Sequence, residues 1–450
     1  MPYITDLEIS GIPTVLIDLV EENEKVKHDA PLWGVPELRF VSASRRLPGP
    51  EDVDNIIGSV IKGLTRPLTK KKKEGGQWAP PKQPRIIFEG TLDEAQAFYQ
   101  QTENIPGLRN APFSMYTDGL PIIVPTEEKV REMLAGTSHK PDELITIQRD
   151  IVMSAPDSVH PGVVKKKGDI VKFMPMFRTA TVEQVAVNAV MAGCKPEYFP
   201  VALAIAESDG GTGDGRGGGG AFLVSGPIYK EIGMNVGYGR FCIGNPANKA
   251  IGRVGSLLWR NLGGYQEKVN TTMTYGNPII NGGFIVAEYA EGLPPGWKGL
   301  NEELGFRKDE SVIMPIRPGV WGLGQEHMPG VYRSFQKSGH GAIARNLGVK
   351  GLPGPHNYLE FITDGIWTAY EGGFTLILTP DMAKDMCDFG FKSKDAAYEW
   401  IWKKSFEPVK QYRRRGRPDY RTNGWMSIEK TSGKHWKELP DDYMVPAGGD

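Results

Sequence analysis

The sequence predicts an α/β fold in which a small N-terminal α/β domain is joined by a basic Gly/Pro linker to a larger layered α/β domain. Three observations lead there. Short β-branched apolar runs alternate with capped helical segments. One stretch, Lys70-Lys71-Lys72-Lys73-Glu74-Gly75-Gly76, places four like charges ahead of Gly and Pro and cannot bury a core. A length of 450 residues exceeds the roughly 100–200 residues of a typical single domain. The expected boundaries are 1–65 for the first domain, 66–84 for the linker, 85–404 for the main domain and 405–450 for an extended tail.

The first domain opens with residues 12–17, an apolar run suited to a buried strand, and 38–41 is a second candidate. Pro50, Glu51 and Asp52 then suit the first turn of a helix whose apolar face continues through Val60, Ile61 and Leu64. The linker reads as a solvated hinge or as a basic docking strip. In the main domain, 85–89 and 120–124 read as strands, each leading into a helix. The first helix starts at the capping box of Thr91 and Glu94, and the second runs from Pro125-Thr126 to Leu134. Residues 181–193 carry the densest helical signal, with Thr181 and Gln184 as a capping box and Gly193 as the stop. Pro196 opens the next helix, through Tyr198, Val201, Ala202 and Ile205. That second helix is apolar and acidic, which excludes a DNA-reading helix-turn-helix.

Further along, the glycine tract 210–220 lacks a following Gly-Lys-Ser/Thr and leads into a strand at 221–224, so no nucleotide cofactor motif is present. It reads as a mobile cover for a site or a flexible connection. Asn245 caps a helix begun by Pro246, which would bury Ile251, Leu257, Leu258 and Leu262, with Gly252 and Gly255 allowing close packing. A strand at 284–288 ends on Glu288, and 375–378 precedes a helix from Pro380. The tail is expected to wrap over a neighbour, having no strand–helix core of its own.

Composition narrows the function classes. Lys and Arg total 53 against 54 Asp and Glu, a net charge of −1, so no global field favours nucleic acid or an anionic membrane. Gly (56) and Pro (35) supply about a fifth of the chain, below low-complexity levels. Three cysteines are too few for a disulfide framework, and neither a signal peptide nor a membrane-spanning run is visible, so a cytoplasmic setting is expected.

Cys194 lies between two helices beside Lys195. A helix start and an ammonium would both lower its pKa, although free cysteines are also commonly inert core residues. Cys242 and Cys387 read as structural, and no C-x-x-C spacing occurs. The Asn-capped helix at 245–248 suits an anion such as a carboxylate, or is simply a well-capped helix. His327, His340 and His356 fall in Gly/Pro-rich loops near Glu326 and Glu360. They read as a proton-transfer or metal cluster or as surface histidines. Glu288 sits at a strand end, where α/β proteins often place catalytic carboxylates.

Residues 185–198, including Ala192-Gly193-Cys194-Lys195-Pro196, resemble the signature of the UGSC-type proteins, named for a selenocysteine- or cysteine-containing Gly-Ser-Cys motif. Further blocks match in order: Ser225-Gly226-Pro227-Ile228 with Gly233-Met234-Asn235, then Gly244-Asn245-Pro246-Ala247-Asn248 with Arg253, then Ala287-Glu288. The first segment, with Gly11-Ile12-Pro13-Thr14-Val15, is similar to the family's amino-terminal domain. It is distantly similar to selenoprotein B subunits of glycine-type reductases. The U/C-Gly-Ser-Cys motif itself is absent, and the family places it just ahead of Gly11. The resemblance therefore implies a hetero-oligomer in which a separate small subunit carries a Cys-Gly-Ser-Cys-like motif, because a missing strand would leave a sheet edge unpaired.

The enzyme implied uses thiol or selenol chemistry on a small polar substrate, with reductive cleavage of a carbon–heteroatom bond as the favoured class. Cys194 would be a second thiol or its stabiliser, and Glu183 or Glu288 would move protons. Asn188, Asn235, Asn245, Asn248 and Arg253 would hold the substrate. The alternatives are a metal-dependent lyase or hydratase using the three loop histidines, and a non-catalytic scaffold subunit. No cofactor is assigned, and a metal ion is left open.

Overall fold

Near the N-terminus two short strands, β1 (Leu16–Leu19) and β2 (Phe40–Ala43), pair in parallel with Leu16 opposite Phe40. In this computed structural model, residues 10–19, 37–43, 53–67, 84–103, 113–152, 164–173, 178–208, 221–237, 243–264, 283–316, 358–363, 376–414 and 438–446 are described, with scattered single positions and short runs between them. Helix α1 (Val53–Thr65) packs on β2. Buried Arg39 donates from Nη1 to the carbonyls of Gly63 and Leu64 at 2.7 and 2.9 Å, which satisfies the free C-terminal end of α1 with a cation. Only part of the apolar surface of α1 turns inward. Val53, Ile57, Ile61 and Leu64 are exposed.

The helices α2 (Leu92–Tyr99) and α3 (Glu127–Leu134) start where the sequence places them, with Thr91 and Thr126 accepting from the backbone N–H groups of Glu94 and Lys129. The strands expected ahead of them do not form: 86–89 and 121–124 join no ladder, and Leu120 lies in a bend. Ile86, Ile87, Leu120 and Ile123 stay exposed there. A β-branched run can propose a strand, but only a partner with free backbone groups completes one.

The core lies around α4 (Val182–Ala192), α5 (Phe199–Glu207), β3 (Ala221–Ser225), α6 (Pro246–Leu257), β4 (Phe284–Ala287) and β5 (Val312–Ile316). The sheet order is β4-β3-β5, with β3 parallel to β4 and antiparallel to β5. Helix α6 packs on β4 and α4, while α5 packs on α4 and β5. Thr181 and Gln184 form the expected capping box on α4, and Gly193 ends it at φ 84°. A 3-10 turn at Pro196–Tyr198 leads into α5. Ile251, Leu257, Leu258 and Leu262 are buried as the periodicity requires, the last two on a π-turn that continues α6.

Helix and sheet meet at glycines. A Cβ on Gly283 would lie 1.8 Å from the Gly252 carbonyl oxygen, and one on Gly255 would lie 3.0 Å from the Phe222 ring.

Two helices, α7 (Pro380–Phe389) and α8 (Lys394–Lys404), form a second cluster through Met382, Met386, Ala397 and Ile401. The expected strand before α7 is absent at 376–379. The tail differs from its expected form. Strands β6 (Phe406–Pro408) and β7 (Met444–Pro446) pair antiparallel, and Val409, Leu439 and Val445 bury a small core of their own. The architecture is α/β in the general sense. No helix among the described residues is long and apolar enough to cross a membrane.

Candidate active site

The parallel pairing of β3 and β4 brings their C-terminal ends side by side, a position where α/β sheets commonly place ligands. Ser225 ends β3 and Glu288 follows β4, with the Glu288 N–H donating to the Val224 carbonyl at 2.8 Å. The fully buried Ser225 hydroxyl donates to Glu288 Oε2 at 2.6 Å and accepts from the Asn301 N–H at 3.0 Å. The Leu300 N–H donates to the same Oε2 at 2.8 Å. On the other carboxylate oxygen, Lys394 Nζ lies 2.7 Å from Oε1, and it also lies 3.4 Å from Glu303 Oε2. The three side chains keep 13% (Lys394), 14% (Glu288) and 21% (Glu303) of their exposure. One ammonium is thus held between two largely buried carboxylates, and Glu303 is the member that solvent reaches best. Burial raises the Glu303 pKa, Lys394 opposes that rise, and Glu288 adds to it.

Arg240 reaches the same strand end. Its Nη2 donates to the Ala287 carbonyl, while its buried Nε has no hydrogen-bond partner among the described residues. Burial lowers its pKa and the nearby Glu288 charge raises it. A turn fixed by asparagines carries this arginine. Asn248 Oδ1 accepts from the Asn235 N–H at 2.8 Å, Asn245 Oδ1 accepts from the Asn248 N–H at 3.0 Å, and Asn245 Nδ2 donates to Asn235 Oδ1 at 3.1 Å. Asn235 Nδ2 reaches the Gly239 carbonyl and Asn248 Nδ2 the Ile285 carbonyl, at 3.2 and 3.3 Å. Three of the four asparagines expected to bind substrate, Asn235, Asn245 and Asn248, therefore do come together. Their polar groups are largely spent on one another and on backbone, so they lash Gly233, Asn235 and Gly239 to α6 and β4.

Other expected site residues lie elsewhere. Arg253 forms a bidentate pair with Asp118, at 2.7 and 2.8 Å, and is not offered to an anion. Asn188 is buried, donating to the Gln184 carbonyl and accepting from Asn261 at 2.8 Å between helices. Glu183 sits in the first turn of α4, paired through both oxygens with Arg85, whose pKa is raised by hydrogen bonds to Glu183 and Glu127. Cys194 overturns the expectation of an activated thiol. It is 8% exposed within the main core, and burial pushes its pKa up to about 12. Lys195 turns to Glu197 and to the ring of Tyr198 instead. Cys387 is also buried. Cys242, the 210–220 tract, His327, His340 and His356 lie outside the described residues. Among the described residues, no group of three or more His, Cys, Asp or Glu side chains is arranged to hold a metal ion.

The sequence reading missed Lys394, Glu303 and Arg240. Lys394 had a signal: it is the first residue of α8 behind the cap Ser393, where the helix dipole disfavours a cation, so a tertiary acid partner was called for. It also missed Glu207 at the end of α5. The Glu207 carboxyl accepts from Gln148 Nε2 at 3.0 Å beside the His139–Glu143 pair, and burial raises its pKa to about 7. Comparison with protein-family models, curated proteins and solved structures finds no match for this chain.

Proposed function

We propose that this chain is the acid–base, substrate-holding subunit of a heteromeric enzyme of the UGSC type, acting on a small polar substrate. The observation that carries the reading is the Glu288–Lys394–Glu303 arrangement at the end of a parallel strand pair, with Arg240, whose buried Nε has no hydrogen-bond partner among the described residues, bonded to the adjacent Ala287 carbonyl. A carboxyl group whose pKa burial raises, next to a shared ammonium, is suited to deliver and recover a proton. Lys394 holds the charge balance and Arg240 offers a donor to the substrate. Ser225 and Leu300 fix the Glu288 carboxylate in place.

The nucleophile in this reading is the thiol or selenol of a separate small subunit. The high pKa of Cys194 supports that division of labour, because a thiol of pKa about 12 is almost entirely protonated at neutral pH. The reductive cleavage of a carbon–heteroatom bond remains the favoured reaction. A two-domain arrangement hinged near 66–84 and a cytoplasmic setting belong to the same proposal.

Native purification followed by mass spectrometry and timed alkylation tests it. A short co-eluting chain with a Cys-Gly-Ser-Cys-like motif should react quickly at pH 7.5. Cys194 should react at least about 100-fold more slowly than free cysteine. In the intact complex Glu303→Gln should remove one limb of the pH–rate profile, and Cys194→Ser should leave turnover unchanged. A chain that purifies alone with Cys194 as its fast thiol overturns the reading.

A further inference from the structure

Helix α8 brings a second side chain to the acid–base cluster besides Lys394. Lys394, Tyr398 and Trp402 follow one another at i, i+4 and i+8 and form a single row. The row borders the packed face of the helix, where Ala397 and Ile401 are buried. Helical side chains lean toward the N-terminus, so the Tyr398 ring lies over the turn that Lys394 begins. Lys394 Nζ is held between Glu288 and Glu303, and the row therefore leads the phenol to the same two carboxylates.

Hydrogen bonding and exposure separate Tyr398 from an ordinary surface tyrosine. Its hydroxyl has no hydrogen-bond partner among the described residues. The Tyr229 hydroxyl, which also feels Glu288, is by contrast bonded to Glu291, and that side chain is buried. Tyr398 is 50% exposed, so it is the member of the group that solvent reaches most readily. The charged groups around its phenol are Glu303 and Glu288 from the central region, with Asp395 and Lys394 from its own helix. Burial and the three carboxylates push its pKa up to about 12, so at neutral pH the phenol is a hydrogen-bond donor and not a base. Glu303 takes its hydrogen bond from Lys394, which leaves the phenol proton for a molecule bound beside them.

We propose that Tyr398 is a further catalytic residue of this centre, whose hydroxyl donates a hydrogen bond to the polar group of the substrate that exchanges a proton with Glu303. The tyrosine keeps its own proton throughout. It binds and orients the substrate atom while Glu303 gives or takes the proton. The inference rests on reading Glu288, Lys394 and Glu303 as an acid–base centre, and adds the group that touches the substrate from the solvent side.

Fluorine NMR of the full chain with 3-fluorotyrosine placed at Tyr398 tests it. Without any ligand the resonance should move between pH 5 and pH 8, and the movement should vanish in Glu303→Gln. Acetamide, a neutral probe with one carbonyl acceptor, should shift the same resonance saturably. Its affinity, read by saturation transfer from its methyl group, should fall by about 5-fold in Tyr398→Phe. Circular dichroism and thermal melting of Tyr398→Phe should match wild type, because the side chain is half exposed. A resonance indifferent to pH, or one that moves equally in Glu303→Gln, shows that the phenol does not face Glu303 and overturns the proposal. Acetamide that fails to bind, or that binds Tyr398→Phe as tightly as wild type, overturns it as well. These failures fall on the tyrosine alone. The acid–base reading fails separately, if the intact complex keeps both limbs of its pH–rate profile in Glu303→Gln.

Discussion

Glu207 shows how one side chain can set the pH response of a large protein. Its carboxyl lies at the end of α5, bonded to Gln148, with burial raising its pKa from an ordinary 4.5 to about 7. Across that interval the folded chain binds a proton that the unfolded chain has released. Its contribution is therefore complete below about pH 4.5 and is lost as pH rises through 7. Glu207→Gln should flatten this segment of the stability profile and raise stability at pH 8 by about 2 kcal/mol, allowing for partial exposure. Denaturant titrations at pH 5 and pH 8 measure it, and an unchanged difference between wild type and variant at the two pH values contradicts the assignment. Cys194 shows how a residue can mislead in sequence. Its neighbours Lys195 and Pro196 are local and visible, whereas the surrounding core that raises its pKa is built from segments throughout the central region.

At the scale of elements, what was legible followed the range of the interaction. Helix starts at Thr91, Thr126, Thr181, Asn245 and Thr379 all form, because a cap is a bond between residues three positions apart. Strands at 86–89, 120–124 and 376–378 do not form, because a ladder needs a partner that no local pattern names. The Glu288 position was readable from its strand. Its partner Lys394 lies 106 residues later, and only the misfit of a cation at a helix start hinted at it.

The contact between α6 and β4 yields a prediction of its own. Gly283 has φ 82°, and a Cβ there would strike the Gly252 carbonyl oxygen and the Arg253 nitrogen. Gly283→Ala should cost about 3 kcal/mol or more, from backbone strain plus a forced separation of helix and strand. Thermal unfolding checks it, and a cost under about 1 kcal/mol would contradict the packing described.

At the scale of the whole molecule, the buried side chains among the described residues fall into four separate clusters rather than one. The largest spans α2 to β4, while the N-terminal, α7–α8 and tail clusters each rest on a handful of residues. Small cores open at low free energy, so protection against hydrogen exchange should be graded. Amides of α4, α5, β3 and α6 should exchange slowest, and those of β1, β2, β6 and β7 fastest. Native-state exchange read by mass spectrometry tests this order. A single uniform opening free energy across all four clusters would show that they act as one unit.

The ion pair between Glu288 and Lys394 joins two of those clusters, because the acid extends from the central sheet and the base begins α8. During synthesis the ribosome delivers everything as far as Glu288 long before Lys394 emerges. A nascent or truncated chain can then bury most of its central cluster while the Glu288–Lys394 pair is still only half assembled. The join between the two clusters is tied in this way to synthesis reaching α8, and the lysine is its late-arriving half.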